Sequence, residues 1–533
     1  MSDNIIGKQS MSGNIIVGGG SAGSVLASRL TEDPEVSVLL LEAGKDDRSL
    51  NNSVKSYMET PRTWTSLFRH DVLWRYSCVE QKHVRSYDRA RPLLAGKVLG
   101  GSSSINGMLY FRGNKADFDQ WSTLGAEGWN YSQIFPYFLK SEDNHIPEYH
   151  NSGLCIIPKT IFGGKRESVS RAYLRSVVDR PNLHIITEAF VSKILISRRN
   201  KRAYEIRFIH NGTNMSVRPR RETIVSAGAL GSPKLLMMSG IGRRPDIRSG
   251  LPKINHYADL PVGFGLQDHI GFSVDILLNM KTQTLHDLIQ PSVASEYIFE
   301  KKGLLAETIV DINIFADVKH QSPNNWPEVS IFFANGRAKN GINSLTKSAF
   351  QDPEVSEPAA DDHGVTVLII LLHPKSKGTV TLKSSDPDVL PEIDPKYLSI
   401  PEDKEILIQG VRRLQQLINT EAFRNVNATI VPVPDCLKHG DDTDDYWSCV
   451  IENKAHSFLH FTGTCKMGHV NDSSTVVDSR LRVKGIKDLR VVDASIIPEI
   501  TSGNTNGPVI MVAEKAADII KEDWKKIKQL QKQ

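Results

Sequence analysis

The chain has 533 residues, of which 40% are hydrophobic and 24% are charged, and its formal net charge is +4. This length predicts two or more structural units, and the composition is typical of a globular protein. The small net charge provides no basic footprint for nucleic acid. No hydrophobic run reaches the ~18 residues that a transmembrane helix needs. We therefore expect no nucleic-acid partner and no transmembrane segment.

The cellular location stays open at this level. The first 14 residues are polar and lack the hydrophobic core of a secretory signal, which favours an intracellular protein. Several Asn-x-Ser/Thr tripeptides favour secretion instead, and Cys436 and Cys449 could close a short loop in an exported protein. The five cysteines have no metal-site spacing, so no metal site is predicted.

The first structural unit is visible near the amino end. Asn14–Val17 predicts a short strand, and Ser24–Thr31 predicts a helix. Val36–Leu41 is an uninterrupted hydrophobic run, which is typical of a parallel strand covered on both faces. The glycine-rich turn Gly18–Gly23 joins the first strand to the helix. Together these segments form a βαβ unit of the length that the dinucleotide-binding fingerprint requires.

Each glycine of this turn has a separate physical reason. Gly18 allows the tight turn, Gly20 lets the backbone approach a pyrophosphate, and Gly23 lets the helix pack closely on the strand. Glu42 follows Gly18 by 42 − 18 = 24 residues, close to the ~20-residue offset at which an acid binds ribose hydroxyls, and this disfavours NADP. The motif alone does not separate FAD from NAD. The predicted cofactor contacts of this unit are Gly18, Gly20, Ser21, Ala22, Gly23, Glu42 and Ala43.

The rest of the chain predicts a return to the first sheet and a second unit. Strands at Leu183–Ile186, Ile194–Ile196 and Thr223–Val225 are expected to join the first sheet. Residues 275–450 alternate hydrophobic runs with proline-rich turns, which predicts a largely antiparallel unit. The carboxyl end again predicts a strand and a helix of the first unit, at Leu489–Val492 and Pro508–Lys521.

Several further motifs follow one another in a fixed order. They are Gly96–Gly107, Ala227–Gly242, Pro261–His269, His373–Gly378, His460–Gly468, Asp493–Ser495 and Ser502–Lys515. With these motifs the chain resembles the glucose–methanol–choline (GMC) oxidoreductase family of FAD enzymes along most of its length. The segment Ser502–Asp518 is most similar to the arthropod glucose-dehydrogenase-like branch of that family.

The resemblance implies a fold and a cofactor. The fold is α/β, with a Rossmann-like FAD-binding domain (12–140, 181–275 and 455–533) interleaved with a substrate-binding domain (141–180 and 276–454) on a largely antiparallel sheet. Ile105 stands where some members carry the histidine that tethers the flavin, so non-covalent FAD is expected. The residues carried over as FAD contacts are Gly96, Gly101, Asn106 and Gly107 around the flavin, Val191 at the adenine, and Asp493 and Ala494 at the ribityl–pyrophosphate end.

The resemblance also implies a reaction, the oxidation of a small-molecule alcohol to a carbonyl. His460 is the base, hydride passes to flavin N5, and the electrons then pass to oxygen or a quinone-like acceptor. Asn504 is the second polar residue of the site and holds the alcohol oxygen. A helix cap is the alternative for Asn504, because Ser502-Gly503-Asn504 precedes a predicted helix. His456 and His469 are assigned no role.

Other functions remain to be weighed. A FAD-containing hydroxynitrile lyase acting on a cyanohydrin is the main alternative, since His460 could equally deprotonate that substrate. A non-catalytic flavin-binding protein is disfavoured because both His460 and Asn504 are present. The pattern Gly20-Ser21-Ala22-Gly23 belongs to the phosphate loop, which argues against a serine hydrolase. The substrate should be set by residues 275–450 and by Phe458 and Phe461.

Overall fold

A parallel sheet of five short strands forms the core of the first unit. Its central strand Asn14–Val17 pairs with Val38–Leu41 on one side and with Thr223–Val225 on the other. Leu183–Ile186 and Leu489–Val491 are the outer strands. The computed structural model describes residues 13–87, 92–143, 153–244, 254–319, 326–336 and 363–531.

The glycine turn is followed by the helix Ser21–Leu30. It begins three residues before the predicted start at Ser24, because Gly20 already serves as the N-cap. The carboxyl-terminal helix is also longer than predicted and spans Asn506–Leu530. These two helices pack against each other beside the sheet, and their buried faces complete the hydrophobic core around the parallel strands.

One strand prediction is wrong. Ile194–Ile196 does not join the parallel sheet but forms the end of a longer strand, Ala189–Ile196. That strand pairs in antiparallel fashion with Ala203–His210, which in turn pairs with Thr213–Val217. Buried and half-exposed residues alternate along much of Ala189–Ile196, as expected when only one face of a sheet is covered. The hydrophobic residues of this segment therefore indicate a strand, but they do not show which sheet the strand joins.

The second unit is built on a seven-stranded sheet whose pairings are all antiparallel. The helix Pro401–Ile418 covers one face. It approaches closely at Gly410, where an added Cβ would lie 2.9 Å from a methyl of Ile369. The largely antiparallel sheet is thus confirmed, while the domain boundaries stay predictions. The strands are Gly153–Ile156, Ile270–Leu277, Val310–Ala316, Val329–Asn335, Gly364–Leu371, Thr429–Ile430 and His456–Ser457.

The other described elements are short. Small antiparallel pairings join Leu73–Ser77 to Pro92–Gly96, Ile161–Phe162 to Lys165–Arg166, and Gly378–Thr381 to both Phe264–Leu266 and Glu392–Asp394. Further α-helices are Asn52–Glu59, Lys115–Thr123, Tyr131–Ser141, Gly228–Met238, Leu285–Leu288, Pro291–Glu300, Glu421–Arg424 and Asp444–Lys454. Cys436 and Cys449 form a disulfide. Among the described helices, none is both long and hydrophobic enough to cross a bilayer.

Candidate active site

A cavity of about 1650 Å³, including its mouth, lies at the carboxyl ends of the parallel strands. Val17 and Leu41 are the last residues of their strands, and Ser226 and Asp493 follow two others; all four line the cavity. In open α/β sheets this edge is where ligands bind, because loops and helix N-termini converge there. The fold therefore places the glycine turn and the later motifs around one space.

Two glycine segments approach each other across the cavity wall. Gly101 has a φ of +56°, and an added Cβ would lie 2.6 Å from the Cα of Gly20. Gly18 has a φ of +103°, which the tight turn requires. A Cβ on Gly23 would lie 1.9 Å from the carbonyl oxygen of Gly18, so Gly23 serves helix–strand packing. No other residue type fits at Gly23 or Gly101 without movement of the backbone.

Two helix N-termini face the same cavity. The helix Ser21–Leu30 begins at Gly20, which has no side chain to cap it, and Thr505 makes no side-chain cap for Asn506–Leu530. The hydroxyl of Ser21 donates to Oδ1 of Asn506 at 2.8 Å, so the two ends lie side by side. Neither first turn contains an acidic residue. The unpaired N–H groups and the helix dipoles favour a bound pyrophosphate.

Glu42 is held by backbone groups of its own neighbourhood. Its Oε2 accepts the N–H of Gly19 and its Oε1 accepts the N–H of Gly44, each at 2.7 Å. Burial raises the pKa of this carboxyl to about 7. The side chain lines the cavity, and its contact with a ribose stays a prediction.

The structure brings together most of the predicted site residues. Gly23 lies inside its helix instead, and an added Cβ on Gly107 would face Trp64 at 3.6 Å. Neither of these two glycines lines the cavity, whereas His460 and Asn504 do. The predicted cofactor contacts that line it are Gly18, Gly20, Ser21, Ala22, Glu42, Ala43, Gly96, Gly101, Asn106, Val191, Asp493 and Ala494.

Asp493 braces one wall of the cavity. Its Oδ2 accepts the N–H of Gly228 at 2.9 Å and the hydroxyl of Ser232, and its Oδ1 accepts the N–H of Ser495 at 2.8 Å. Burial raises the pKa of the Asp493 carboxyl. The side chain thus fixes the start of the helix Gly228–Met238, and its contact with FAD stays a prediction.

His460 lies on a loop that is tied to the motif Gln267–His269. Gln267 and Thr462 exchange two backbone hydrogen bonds, of 3.1 and 2.9 Å, and the N–H of Phe458 donates to the carbonyl of His269 at 3.0 Å. Leu459, just before His460, has a φ of +63°. This left-handed conformation is uncommon for a leucine and costs of order 1–3 kcal/mol. The surrounding bonds therefore impose the turn that presents His460 to the cavity.

Burial controls the protonation of His460. Removal from solvent lowers the pKa of its ring to about 4, so the ring is neutral at pH 7 and able to accept a proton. Burial also raises the pKa of the neighbouring Asp268 carboxyl to about 7. A second neutral ring, that of His269, lies within hydrogen-bond distance of His460.

Asn504 follows a segment anchored by Asp117. Oδ2 of Asp117 accepts the N–H of Ser502 at 2.7 Å, and Oδ1 accepts its hydroxyl at 2.8 Å. Gly503 has a φ of +129°, and a Cβ there would lie 2.8 Å from Cβ of Phe111. The helix begins at Asn506 with Thr505 as its N-cap. The alternative that Asn504 is a helix cap is therefore wrong.

Arg166 is a site residue that the sequence did not reveal. Its side chain is buried, and it donates to the carbonyl of Met58 at 2.8 Å and to Oδ1 of Asn106 at 2.7 Å. No carboxylate of the described residues pairs with it, and burial lowers its pKa to about 9. Oδ1 of Asn106 also accepts the N–H of Met108, and Asn106 lines the cavity. Arg166 belongs to no motif, so only the fold shows its place.

The residues of the cavity fit FAD. The close glycine pair leaves room for a flat ring or a phosphate, and the two helix N-termini provide donors for the pyrophosphate. The hydroxyl of Ser226 is buried beside the cavity and has no partner among the described residues. Within the described ranges, no group of His, Cys, Asp or Glu side chains is arranged to bind a metal ion.

This sheet edge, with its paired helix N-termini and the half-buried ring of His460 on the same cavity, is typical of a FAD-dependent oxidoreductase. Residues 12–145 and 140–271 match the amino-terminal family model described as GMC oxidoreductase, and residues 374–513 match the carboxyl-terminal one. The chain belongs to the GMC oxidoreductase family, and its cofactor is FAD.

Known relatives resemble the chain over nearly its whole length. A "Glucose dehydrogenase [FAD, quinone]" of Drosophila pseudoobscura pseudoobscura is 31% identical over 96% of this chain and 87% of its own. An "Alcohol dehydrogenase [acceptor]" of Pseudomonas putida is 33% identical over 95% of both chains. Among solved structures, a formate oxidase of Aspergillus oryzae RIB40 superposes with a TM-score of 0.82 at 26% identity, covering 98% of this chain and 99% of its own.

Proposed function

We propose that the protein oxidises an alcohol to a carbonyl compound, with His460 as the base that takes the hydroxyl proton. The observation that carries this proposal is the position of His460 and Asn504 on the same cavity as the glycine turn. The neutral state of the His460 ring supports the role, because a base must be unprotonated to act.

Each protein group has a defined task in this proposal. The ring of His460 removes the proton from the alcohol oxygen, and the amide of Asn504 donates a hydrogen bond to that oxygen and holds it in place. Arg166 holds Oδ1 of Asn106, so that the amide nitrogen of Asn106 would be available to the cofactor. When bound, FAD supplies the oxidant for the two-electron step. Oxygen or a quinone-like molecule is the proposed final electron acceptor.

The relatives support an alcohol as the donor. The Drosophila protein is named for glucose, with FAD and quinone, and the Pseudomonas protein is named for alcohols, with an unspecified acceptor. Phe458 and Phe461 flank His460 in the chain, which suits an aryl or hydrophobic alcohol as well as a sugar.

We infer that the FAD is held without a covalent bond. Ile105 is buried beside Asn106 and offers no nucleophile to the flavin. Acid precipitation of the purified protein should leave the yellow colour in the supernatant. Colour that stays with the precipitated protein would contradict this inference.

The function is tested by mixing the holoenzyme anaerobically with D-glucose, choline and benzyl alcohol, and recording the flavin absorbance. Bleaching by an alcohol supports the proposal. Admitting air, or adding a benzoquinone without air, then distinguishes an oxidase from a dehydrogenase by the rate of recolouring. Release of cyanide from mandelonitrile, with no bleaching by any alcohol, would overturn the proposal in favour of a lyase.

We also infer that the protein matures in an oxidising compartment. The disulfide between Cys436 and Cys449 is the observation behind this inference, since such bonds persist mainly outside the cytosol. Alkylation of the protein from its native source, without reductant, should leave these two cysteines unmodified. Full alkylation of both would contradict it.

A further inference from the structure

The rings of His269 and His460 are joined by a hydrogen bond that the proposed mechanism does not use. Their Nδ1 atoms lie 2.9 Å apart, and the ring planes are nearly perpendicular, at 86°. In such a pair one nitrogen carries the hydrogen and the other presents a lone pair. The direction of this bond therefore decides which nitrogen of His460 is free to act as a base.

The second nitrogen of His269 determines that direction. Nε2 of His269 lies 3.0 Å from the carbonyl oxygen of Leu372. A carbonyl oxygen only accepts hydrogen bonds, so Nε2 must carry a hydrogen. Burial, with the nearby rings of His460 and His373, lowers the pKa of His269 well below its usual value. The ring is consequently neutral, and its Nδ1 presents the lone pair.

His460 must then be the donor of the shared bond. Because its ring is also neutral at pH 7, it carries one hydrogen, and that hydrogen lies on Nδ1. Its Nε2 is therefore bare. We propose that His269 is a positioning residue that holds His460 in the Nδ1–H tautomer, so that the Nε2 lone pair is directed to the alcohol.

In the proton transfer, the alcohol gives its hydroxyl proton to Nε2 of His460. The O–H bond of the alcohol breaks, its electron pair stays on the oxygen, and an Nε2–H bond forms on His460. The resulting positive charge on His460 strengthens the bond that its Nδ1–H already makes to His269, because charge-assisted hydrogen bonds are roughly twice as strong as neutral ones. The chain Leu372–His269–His460 thus prepares the base before the proton arrives.

A neutral partner differs from the carboxylate often found behind a histidine base. A carboxylate both orients the ring and raises its pKa. Here the nearest carboxylate, that of Asp268, accepts from the backbone N–H of His460 and from the hydroxyls of Tyr397 and Ser457. Orientation of the ring therefore comes from His269, and the position of the backbone comes from Asp268.

Two substitutions of nearly equal shape isolate the hydrogen bond. His269→Asn keeps an acceptor oxygen near the position of Nδ1, whereas His269→Leu has similar volume but no acceptor. We expect His269→Leu to lower the rate of flavin reduction by about 10- to 100-fold, with KM and FAD content unchanged, and His269→Asn to stay within about threefold of the wild type. Equal rates in the two variants would overturn the proposal. The alcohols are D-glucose, choline and benzyl alcohol, each mixed anaerobically.

This inference rests on the proposed function. A second measurement therefore observes the tautomer of His460 directly, in the absence of substrate. Nitrogen-15 NMR of the histidine-labelled holoenzyme, with His460→Gln to assign the signal, should show Nδ1 protonated and Nε2 bare in the wild type and in His269→Asn. His269→Leu should shift the ring towards Nε2–H. An Nε2–H signal in the wild type would overturn the proposal. If no alcohol reduces the flavin but Nδ1–H is observed, the proposed function fails while the tautomer assignment stands.

Discussion

Oδ1 of Asp268 accepts the backbone N–H of His460 at a distance of 2.7 Å. Its Oδ2 accepts the hydroxyl of Tyr397 at 2.6 Å and that of Ser457. One buried carboxylate therefore joins the start of the strand Ile270–Leu277 to the loop that carries His460. The three donors to Asp268 are a backbone N–H and two hydroxyls, which carry no positive charge near neutral pH. Asp268 therefore fixes the position of the loop without forming an ion pair in the site.

The first prediction concerns His460 itself. His460→Ala removes the proposed base but leaves the glycine turn and both helix N-termini unchanged. We expect kcat to fall by about 10²- to 10⁴-fold, the usual contribution of a positioned base, with FAD retained at the wild-type ratio. Steady-state turnover measures kcat, and the ratio of flavin to protein absorbance measures the FAD content. His469→Ala, at an exposed histidine a few residues away, is the control and should be unaffected. A colourless His460→Ala protein would show that the residue is structural.

The pH dependence follows from the same ring. His460 acts as a base only when it is neutral, and burial lowers its pKa to about 4, below the ~6.5 of a free histidine. Raising the pH through about 4 therefore removes the ring proton and raises kcat/KM to its plateau. The ring of His460 stays neutral from roughly pH 6 to 8, so its own titration should add no limb to kcat/KM in that range. An acidic limb centred near ~6.5 would show that the ring is as solvated as a free histidine.

The contact between two glycines predicts the effect of a single methyl group. Gly101→Ala places a Cβ 2.6 Å from the Cα of Gly20, in addition to the strain of a φ of +56°. Gly212→Ala is the matched control, because Gly212 has a φ of +73° but nothing within 4 Å. We expect the control to lose only the ~1–2 kcal/mol of left-handed strain and to keep FAD. Gly101→Ala should lose FAD as well, which the ratio of flavin to protein absorbance would show. Equal FAD content in both would contradict a close approach.

The contact between Arg166 and Asn106 can be tested by substitution. Arg166→Met keeps much of the buried volume but removes the bond to Asn106 Oδ1. We expect the dissociation constant of FAD to rise about tenfold, or ~1.4 kcal/mol, because the Asn106 amide is no longer held towards the cavity. Arg171→Met removes a partly exposed ion pair with Glu167 and should leave the affinity unchanged. Flavin fluorescence, recorded during dialysis, measures the FAD that each variant releases. Unchanged affinity for Arg166→Met would limit its role to packing.

The disulfide should stabilise the second unit without affecting the reaction. Cys436 and Cys449 are 13 residues apart in the chain, and a loop of that length contributes about 2–4 kcal/mol. The double serine variant should therefore unfold several degrees lower in a calorimeter while reducing its flavin at the wild-type rate. Cys78→Ser, at a free and half-buried cysteine, is the control. A wild-type Tm for the double variant would mean that the bond contributes nothing to stability.

Much of the first unit could be predicted from local pattern. The strand Asn14–Val17, the glycine turn and the second strand adjoin one another in the chain, so their hydrophobic runs and glycine spacing identify them directly. Leu183–Ile186 and Thr223–Val225 were predicted with the bounds that the structure shows. The sequence predicts the wrong sheet for Ile194–Ile196, because hydrophobic residues indicate a buried strand but carry no information about its neighbour.

In the amino-acid sequence, the glycine turn and Glu42 predict a dinucleotide site. The ordered motifs, through their resemblance to the GMC family, predict a FAD oxidoreductase with His460 and Asn504 at its site. The contacts that hold the His460 ring, by contrast, depend on the tertiary structure. His269 and His460 are 191 residues apart, and Arg166 is 60 residues from Asn106. Such contacts depend on which strands pair and in which register, and a periodic pattern along one segment does not encode its partner. The contact between His269 and His460 therefore follows from the fold, because His269, Leu372 and His460 lie beside the ends of neighbouring strands of the seven-stranded sheet.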